Sequence, residues 1–471
     1  MYMKSRILTV TAFAMGLMAL SWGAQAAALA DIYDLSVQND PEIATARADY
    51  QASKTTLAQR RSLLLPSISA SVSTSKNTNT GPTQIAEPGG QTRVVTAESD
   101  RYSNQWGAQL SQPLFDLSRF FQWRQGKHIE TRARYQFTAD EQSLIFRVAD
   151  NYFNILQAED RLIAARAERE AVSRQLEQVQ QRFDVGLVAI TDVLDATASY
   201  DNATVNVIEA EGAQVVTFET LLRLTGQPYS EVVSLAKDFP VQIPEPRDEE
   251  AWVKAALEGN LQLKQAEASV NIAKQGLRAS RSNHAPRINA SISYGEGGSR
   301  SVNTIDGIEI GSGIDAGDSE SLSGSLSATV PIFNGGSLWA QDKQARFQLE
   351  SAQKTLDLTR RNIVEQTRNL YSALATDVAR VKARARAIES NQSALDATQT
   401  GYEVGTRNIV DVLVAQQRLF SAQFSYAQAR YQYIRDVLRL KQVVGRLSPD
   451  DIYELDRYIS GTRITRSQPS T

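Results

Sequence analysis

The chain repeats itself. Laid against itself at a shift of about 219 residues, it brings five landmarks opposite one another in order. Pro66 in LLLPSISASVS faces Pro286 in NHAPRINASIS, and Pro113 in SQPLFD faces Pro331 in TVPIFN. Tyr152 faces Tyr371, Gly186 in RFDVGLVAITDVL faces Gly405 in GYEVGTRNIVDVL, and Gly226 faces Gly445. A duplication this long means that whatever unit one half builds, the molecule holds two of them. The halves cover 27–238 and 249–446. A proline-rich linker at 239–248 joins them, and a polar tail at 447–471 is expected to be flexible.

Ahead of the repeat, Lys4 and Arg6 precede an apolar run from Ile7 to Leu20, and Ala24-Gln25-Ala26 has the small-x-small form of a cleavage site. This predicts a secretory signal peptide over 1–26 and a mature chain starting near Ala27. The run is short for a retained membrane anchor. There is no cysteine. An exported chain without disulfides is held together by packing or assembly, and acylated-cysteine anchors, thiolate metal sites and cysteine nucleophiles are all excluded. Two histidines, His128 and His284, are too few and too far apart for a metal cluster and read as surface or headgroup-level residues. No metal or other cofactor is expected. The net charge of −3 gives no reason to expect nucleic acid as a partner. Beyond residue 26 no apolar run approaches the length of a spanning helix, so this chain can cross a membrane only as a β-barrel.

Four segments carry the barrel pattern. Ile68, Ala70 and Val72 alternate with serines, and Trp106, Ala108 and Leu110 alternate with Gln105, Gly107 and Gln109. In the second half Ile288, Ala290, Ile292 and Tyr294 alternate with Asn289, Ser291 and Ser293. Leu322, Leu326, Ala328 and Val330 do the same among serines. Period-two patterning over about ten residues predicts transmembrane strands near 66–76, 104–114, 286–295 and 322–332. One face suits lipid and the other a wet lumen. The polar segments 77–103 and 296–321 between them read as long loops on one side of a barrel. Four strands cannot close a barrel, because the smallest have about eight, and open edges are not tolerated in lipid. Several copies must therefore share one barrel, and two, three or four copies all satisfy this reasoning.

The remainder is helical. From Leu117 to Asp184 there is no proline and a single glycine, Gly126, and Ser337 to Glu403 is similar, with only Gly401 near its end. At 1.5 Å per residue each stretch makes a rod of about 100 Å. Leu144, Val148, Tyr152 and Ile155, then Ile363, Leu370, Leu374, Val378 and Val381, form amphipathic stripes for helix packing. Gly186 and Gly405 mark hairpin tips by ending one helix each. Thr191-Asp192 and Asn408 to Asp411 open the next helices, with a capping side chain and an acid in the first turn. A non-pore coiled-coil adaptor would share these helices but would leave the symmetric strand pairs unexplained. Nothing points to an enzyme: no nucleophile–base pair, glycine-rich phosphate loop or metal spacing is present.

The tip motifs and paired strand motifs together resemble the TolC family of outer-membrane efflux proteins, over nearly the whole mature chain. The resemblance implies a homotrimer with a mixed architecture: one membrane β-barrel of twelve strands, four per chain, continued by a long α-helical barrel across the periplasm. It implies a passive exit, closed by the hairpin tips, to which a periplasmic adaptor and an inner-membrane pump of the RND, ABC or MFS type dock. Drugs or proteins would leave through it. Carried onto this sequence, the family's closing links fall on Thr191 and Asp192 of one hairpin and Tyr402 and Arg407 of the other. Asp411 falls on an acidic ring at the constriction. The family pattern has a second acid one turn after that ring, where this chain has Val414. The matching position of the first half holds Asp195, which is expected to supply the missing acidic level.

Overall fold

Residues 28–236, 238–312 and 316–467 are described by a computed structural model; the signal peptide read at 1–26 lies outside the described residues. The first half runs α1 (Leu29–Asn39), α2 (Pro41–Ser62), β1 (Ser67–Ala86), β2 (Thr92–Phe115), α3 (Leu117–Asp184) and α4 (Ile190–Thr225). A short β3 (Glu231–Val233) follows. The second half runs α5 (Glu249–Gly259), α6 (Leu261–Ser282), β4 (Arg287–Ile305), β5 (Ile308–Ser312), β6 (Ala316–Thr329), α7 (Ser337–Glu403) and α8 (Ile409–Val443). The chain then adds α9 (Pro449–Asp456) and β7 (Arg463–Thr465).

The duplication is visible in the caps. Asp40 ends α1 and accepts from the Glu42 amide at 3.0 Å, with Pro41 opening α2. Asn260 does the same between α5 and α6, accepting from the Leu263 amide at 2.9 Å. The rods are 68 residues for α3 and 67 for α7, about 100 Å each at the helical rise. Along the upper part the packing order is α2, α3, α6, α7, and along the lower part it is α4, α3, α8, α7.

The membrane sheet is antiparallel in the order β1, β2, β4, β6, which leaves one edge of β1 and one of β6 unpaired among the described residues. Register sorts the two faces. Ile68, Leu110 and Ile292 lie in one row, and Ala70, Ala108, Tyr294 and Leu322 in the next. Ile68 and Leu322 are each 75% exposed and Leu326 is 70% exposed, an apolar surface that water would not tolerate at this size. The opposite face is hydroxyl and amide, tied across strands by Ser291–Ser325 and Ser293–Ser323 contacts of 2.7 Å. Aromatic residues close both ends of the band. Trp106 meets Tyr294 edge-on at 5.5 Å, and Phe120 packs with Phe121 and Trp123 at 5.6 and 5.8 Å. In outer-membrane barrels, girdles of aromatic residues flank the apolar band.

Two sequence expectations are corrected here. The segments 77–103 and 296–321 are mainly strand rather than loop. β1 and β2 pair continuously from Ser67↔Ser111 to Ala86↔Thr92, and β4 continues to a tight turn at Asp306-Gly307. Ladder hydrogen bonds need no apolar face, so a polar ribbon can outrun the membrane band. Side-chain pairs such as Lys76–Asp100 at 2.9 Å add to it. The tail 447–471 is also not a flexible appendage in its described part. Ser448 and Asp451 form a capping box for α9, β7 pairs with β3, and Leu447, Ile452, Ile459 and Ile464 are buried. A few apolar side chains spaced through a charged segment suffice to dock it.

The largest core lies where these short elements gird the rods. Leu29, Ile32, Tyr152, Phe153, Phe218, Trp252, Ile363, Tyr431 and Leu438 belong to it. A second cluster holds the tips, and a thin one of Leu162, Ala165, Val207 and Ala210 lies between. The second half closes through two glycines. Gly445 has φ of 74°, and a Cβ on it would stand 2.3 Å from the Gly259 carbonyl oxygen. Gly445→Ala therefore combines a left-handed backbone with a clash. It is expected to cost about 3 kcal/mol, read as a lowered unfolding midpoint by circular dichroism.

Candidate functional site

The two hairpin tips converge on one apolar cluster. Val172 and Val179 of α3, Val193 and Ala196 of α4, Leu395 and Tyr402 of α7, and Ile409, Val412 and Leu413 of α8 pack together. The turns differ in how they are made. In the first, Gly186 (φ of 75°) donates to the Phe183 carbonyl at 2.8 Å and Leu187 donates to Arg182 at 2.8 Å. In the second, Gly405 (φ of 81°) is followed by Thr406 and Arg407, whose amides both reach the Gly401 carbonyl, at 2.8 and 3.2 Å. Gly401 is required for this: a Cβ there would stand 2.8 Å from Cγ of Arg407, whose stem lies across it.

Asp411 is half of a capping box. Its amide donates to Asn408 Oδ1 at 2.8 Å, and its Oδ2 accepts from the Asn408 amide at 3.4 Å. Arg407 approaches the same carboxylate at 3.9 Å, with its side chain 62% exposed. A contact that long and that wet holds little energy within one chain. On the other hairpin the expected cap is corrected. Ala189 is the N-cap of α4 and contributes no side-chain bond. The helix starts one residue ahead of Thr191, so that side chain stands inside the first turn and is exposed rather than capping. Asp192 occupies the first turn half-buried, and its amide bonds to the Ala189 carbonyl at 3.1 Å. Asp195 is exposed one turn further, and its carboxylate makes no ion pair or hydrogen bond among the described residues.

Tyr402 is 8% exposed, and its buried hydroxyl has no hydrogen-bond partner in the single chain. Its ring is covered by the Arg182 guanidinium at 4.8 Å, a cation–π contact joining α3 to α7. The single chain thus buries Tyr402 in the tip cluster, but among the described residues it leaves Thr191, Asp192, Tyr402 and Arg407 unlinked to each other. Arg182 was not singled out from sequence. A signal existed, because it stands opposite Gly401 in the duplication, just as Phe183 stands opposite Tyr402.

Comparison with known proteins matches both halves of this chain. The family described as outer membrane efflux protein matches residues 32–227 and again 252–446, once on each half of the duplication. The outer membrane protein TolC of Vibrio cholerae is 33% identical over 428 residues, covering 91% of this chain and 93% of the relative. The alkaline protease secretion protein AprF of Pseudomonas aeruginosa is 28% identical over 454 residues, covering 96% and 91%. The crystal structure of the CmeC outer membrane channel of Campylobacter jejuni shares the fold, with a TM-score of 0.70 at 18% identity over 97% of this chain and 98% of that one. Matched on both halves by one family and along nearly its whole length by a relative one-third identical, this chain belongs to the outer membrane efflux proteins, the exit channels of the bacterial outer membrane.

Proposed function

We propose that the channel works as a homotrimer in which β6 of each copy pairs with β1 of the next, closing a twelve-stranded barrel above a helical tunnel through the periplasm. The observation that carries this is the sheet of β1, β2, β4 and β6, with β5 added beside the far end of β4, its lipid-suited face and its two open edges. Unpaired strand edges in hydrocarbon cost several kcal/mol per group, and only other copies can cover them. The strands alternate in direction, so a β6-to-β1 joint is antiparallel and preserves the pattern all around. An unpartnered stripe on α4, with Val205, Ile208 and Val216 each more than half exposed, supports contact with a neighbouring copy in the lower part. The choice of three copies rests on the family resemblance.

Assembled this way, the tips form the closed end. Tyr402 and Arg407 of one hairpin link to Thr191 and Asp192 of another. Arg407 is exposed and only loosely held within its own chain, and the buried Tyr402 hydroxyl, which has no partner there, must turn outward to make its link. Three copies of Asp411 and three of Asp195 crowd the constriction with carboxylates, which favours cations. The duct is passive. A periplasmic adaptor and an inner-membrane pump supply energy and specificity, and the cargo is drugs or other small toxic compounds, or proteins, as the name of AprF suggests for that relative.

Planar-bilayer recording from the purified chain tests this. Discrete cation-selective channels of small conductance are expected, and a preparation that never conducts would leave the pore-free coiled-coil adaptor as the better account. Because the chain has no cysteine, a single cysteine at an exposed tip position such as Val404 can then capture the docked inner-membrane partner in cells.

A further inference from the structure

Midway along the tunnel helices, α7 and α8 bury two acids against each other. Asp377 is 2% exposed and Asp436 is 8% exposed, and the Asp436 carboxyl stands close enough to act directly on that of Asp377. Asp377 Oδ1 accepts from Arg380 Nη1 at 2.6 Å, and Asp436 Oδ2 accepts from Gln432 Nε2 at 3.0 Å. Asp377 Oδ2 is buried, and no amide, hydroxyl or cation reaches it. Two carboxylates cannot approach this closely in a dry interface while both are ionised, but one proton between them turns repulsion into a strong hydrogen bond.

We propose that Asp377 and Asp436 form a carboxyl–carboxylate pair that shares one proton across the α7–α8 interface and makes the packing of that helix pair firmer in acid than at neutral pH. The surroundings cannot substitute for the proton. On α7, Arg380 is spent on Oδ1 of Asp377 and is itself nearly half exposed. On α8, Arg435 is near enough to Asp436 to act on it through charge, but its hydrogen bonds go to Asp150 of α3 at 3.0 Å and to Asn154 of the same helix at 2.5 Å. Glu249 and Glu250 of α5 are engaged by Arg368, nearer the start of α7. Among the described residues no cation thus forms a hydrogen bond to Asp377 Oδ2.

The sign follows from the two states. Burial first, then Asp436, holds the Asp377 carboxyl up at about 6, against 3.8 for a free one. The folded chain therefore keeps a proton that the unfolded chain releases. The contribution of the pair is fully present below pH 3.8 and is lost as pH rises through about 6. Neither half of the duplication's counterpart positions carries this device, because Ala158 and Thr217 stand there.

Hydrogen–deuterium exchange on the full-length channel in detergent, corrected for intrinsic exchange, tests the pair. Amides flanking Asp377 and Asp436 are expected to lose about tenfold protection between pH 5 and pH 8, while the α3–α4 tip is unchanged. Asp436→Asn supplies a permanent donor to Asp377, so its protection should be equal at both pH values and near the acid value of the wild type. Should that variant not assemble, Asp377→Asn makes the same comparison from the other side. Equal protection of the wild type at both pH values, or an Asn variant as pH-sensitive as the wild type, would overturn the proposal.

Discussion

Ile292→Arg is expected to abolish the assembled channel in the outer membrane, whereas Ser293→Arg, its immediate neighbour, assembles and alters selectivity. Ile292 lies in the middle rows of the apolar face, beside Leu110, and is 54% exposed in the single chain. An arginine at the centre of the lipid face of a barrel costs about 2–4 kcal/mol, so the proposed trimer would bear about 6–12 kcal/mol in all. Ser293 points to the other face, where its hydroxyl meets Ser323 at 2.7 Å and a charge can stay wet. The measurement is the amount of heat-resistant oligomer in outer-membrane fractions, followed by reversal potentials in a salt gradient. Normal assembly of Ile292→Arg with loss of Ser293→Arg would mean that the faces are reversed.

Asp411→Asn is expected to weaken block by divalent cations by up to about three orders of magnitude and to reduce cation selectivity. Three carboxylates some 6 Å from a divalent ion supply about 4 kcal/mol even at the dielectric of water, and the substitution removes all of it. Its structural cost is smaller. The Asn408 cap on the Asp411 amide is retained, so only the acid's part of the box and its interaction with the helix dipole are lost, about 0.5–1 kcal/mol. Asp195→Ala tests the displaced second level. Its carboxylate is free of partners and caps nothing, so the folding cost is near zero and any change in block reports the pore. Unchanged selectivity and block in Asp195→Ala would mean that the acid was not moved from one hairpin to the other but lost.

The tips show which parts of the site could be read ahead of the structure. Gly186, Gly405 and the Asn408–Asp411 box are local: a left-handed residue and a cap depend on neighbours a few positions away, and both stand where the residue types require. Thr191 misled because threonine before an acid looks like a cap, yet the backbone turns into α4 at Ala189, ahead of it. The strands were recognised only where one face is apolar. Their polar extensions have the same ladder but no hydrophobic period, and so passed for loops. In the tail, the sequence Ser448-Pro449-Asp450-Asp451 carried a helix start that its charged surroundings obscured.

The duplication, the rods, the amphipathic strands and the turns that end them are all legible along the chain, because each rests on the spacing of residues within a short stretch. Which unlike residues meet is set by the packing of distant segments. Asp377 and Asp436 stand roughly 30 residues on either side of Gly405, and the antiparallel packing of α7 on α8 brings them into contact. Arg182 reaches Tyr402 because α3 and α7 end at the same level. β7 finds β3 across more than two hundred residues. Such contacts depend on how rods and turns set register in space, and a register is a property of two segments at once, which no period along a single chain contains.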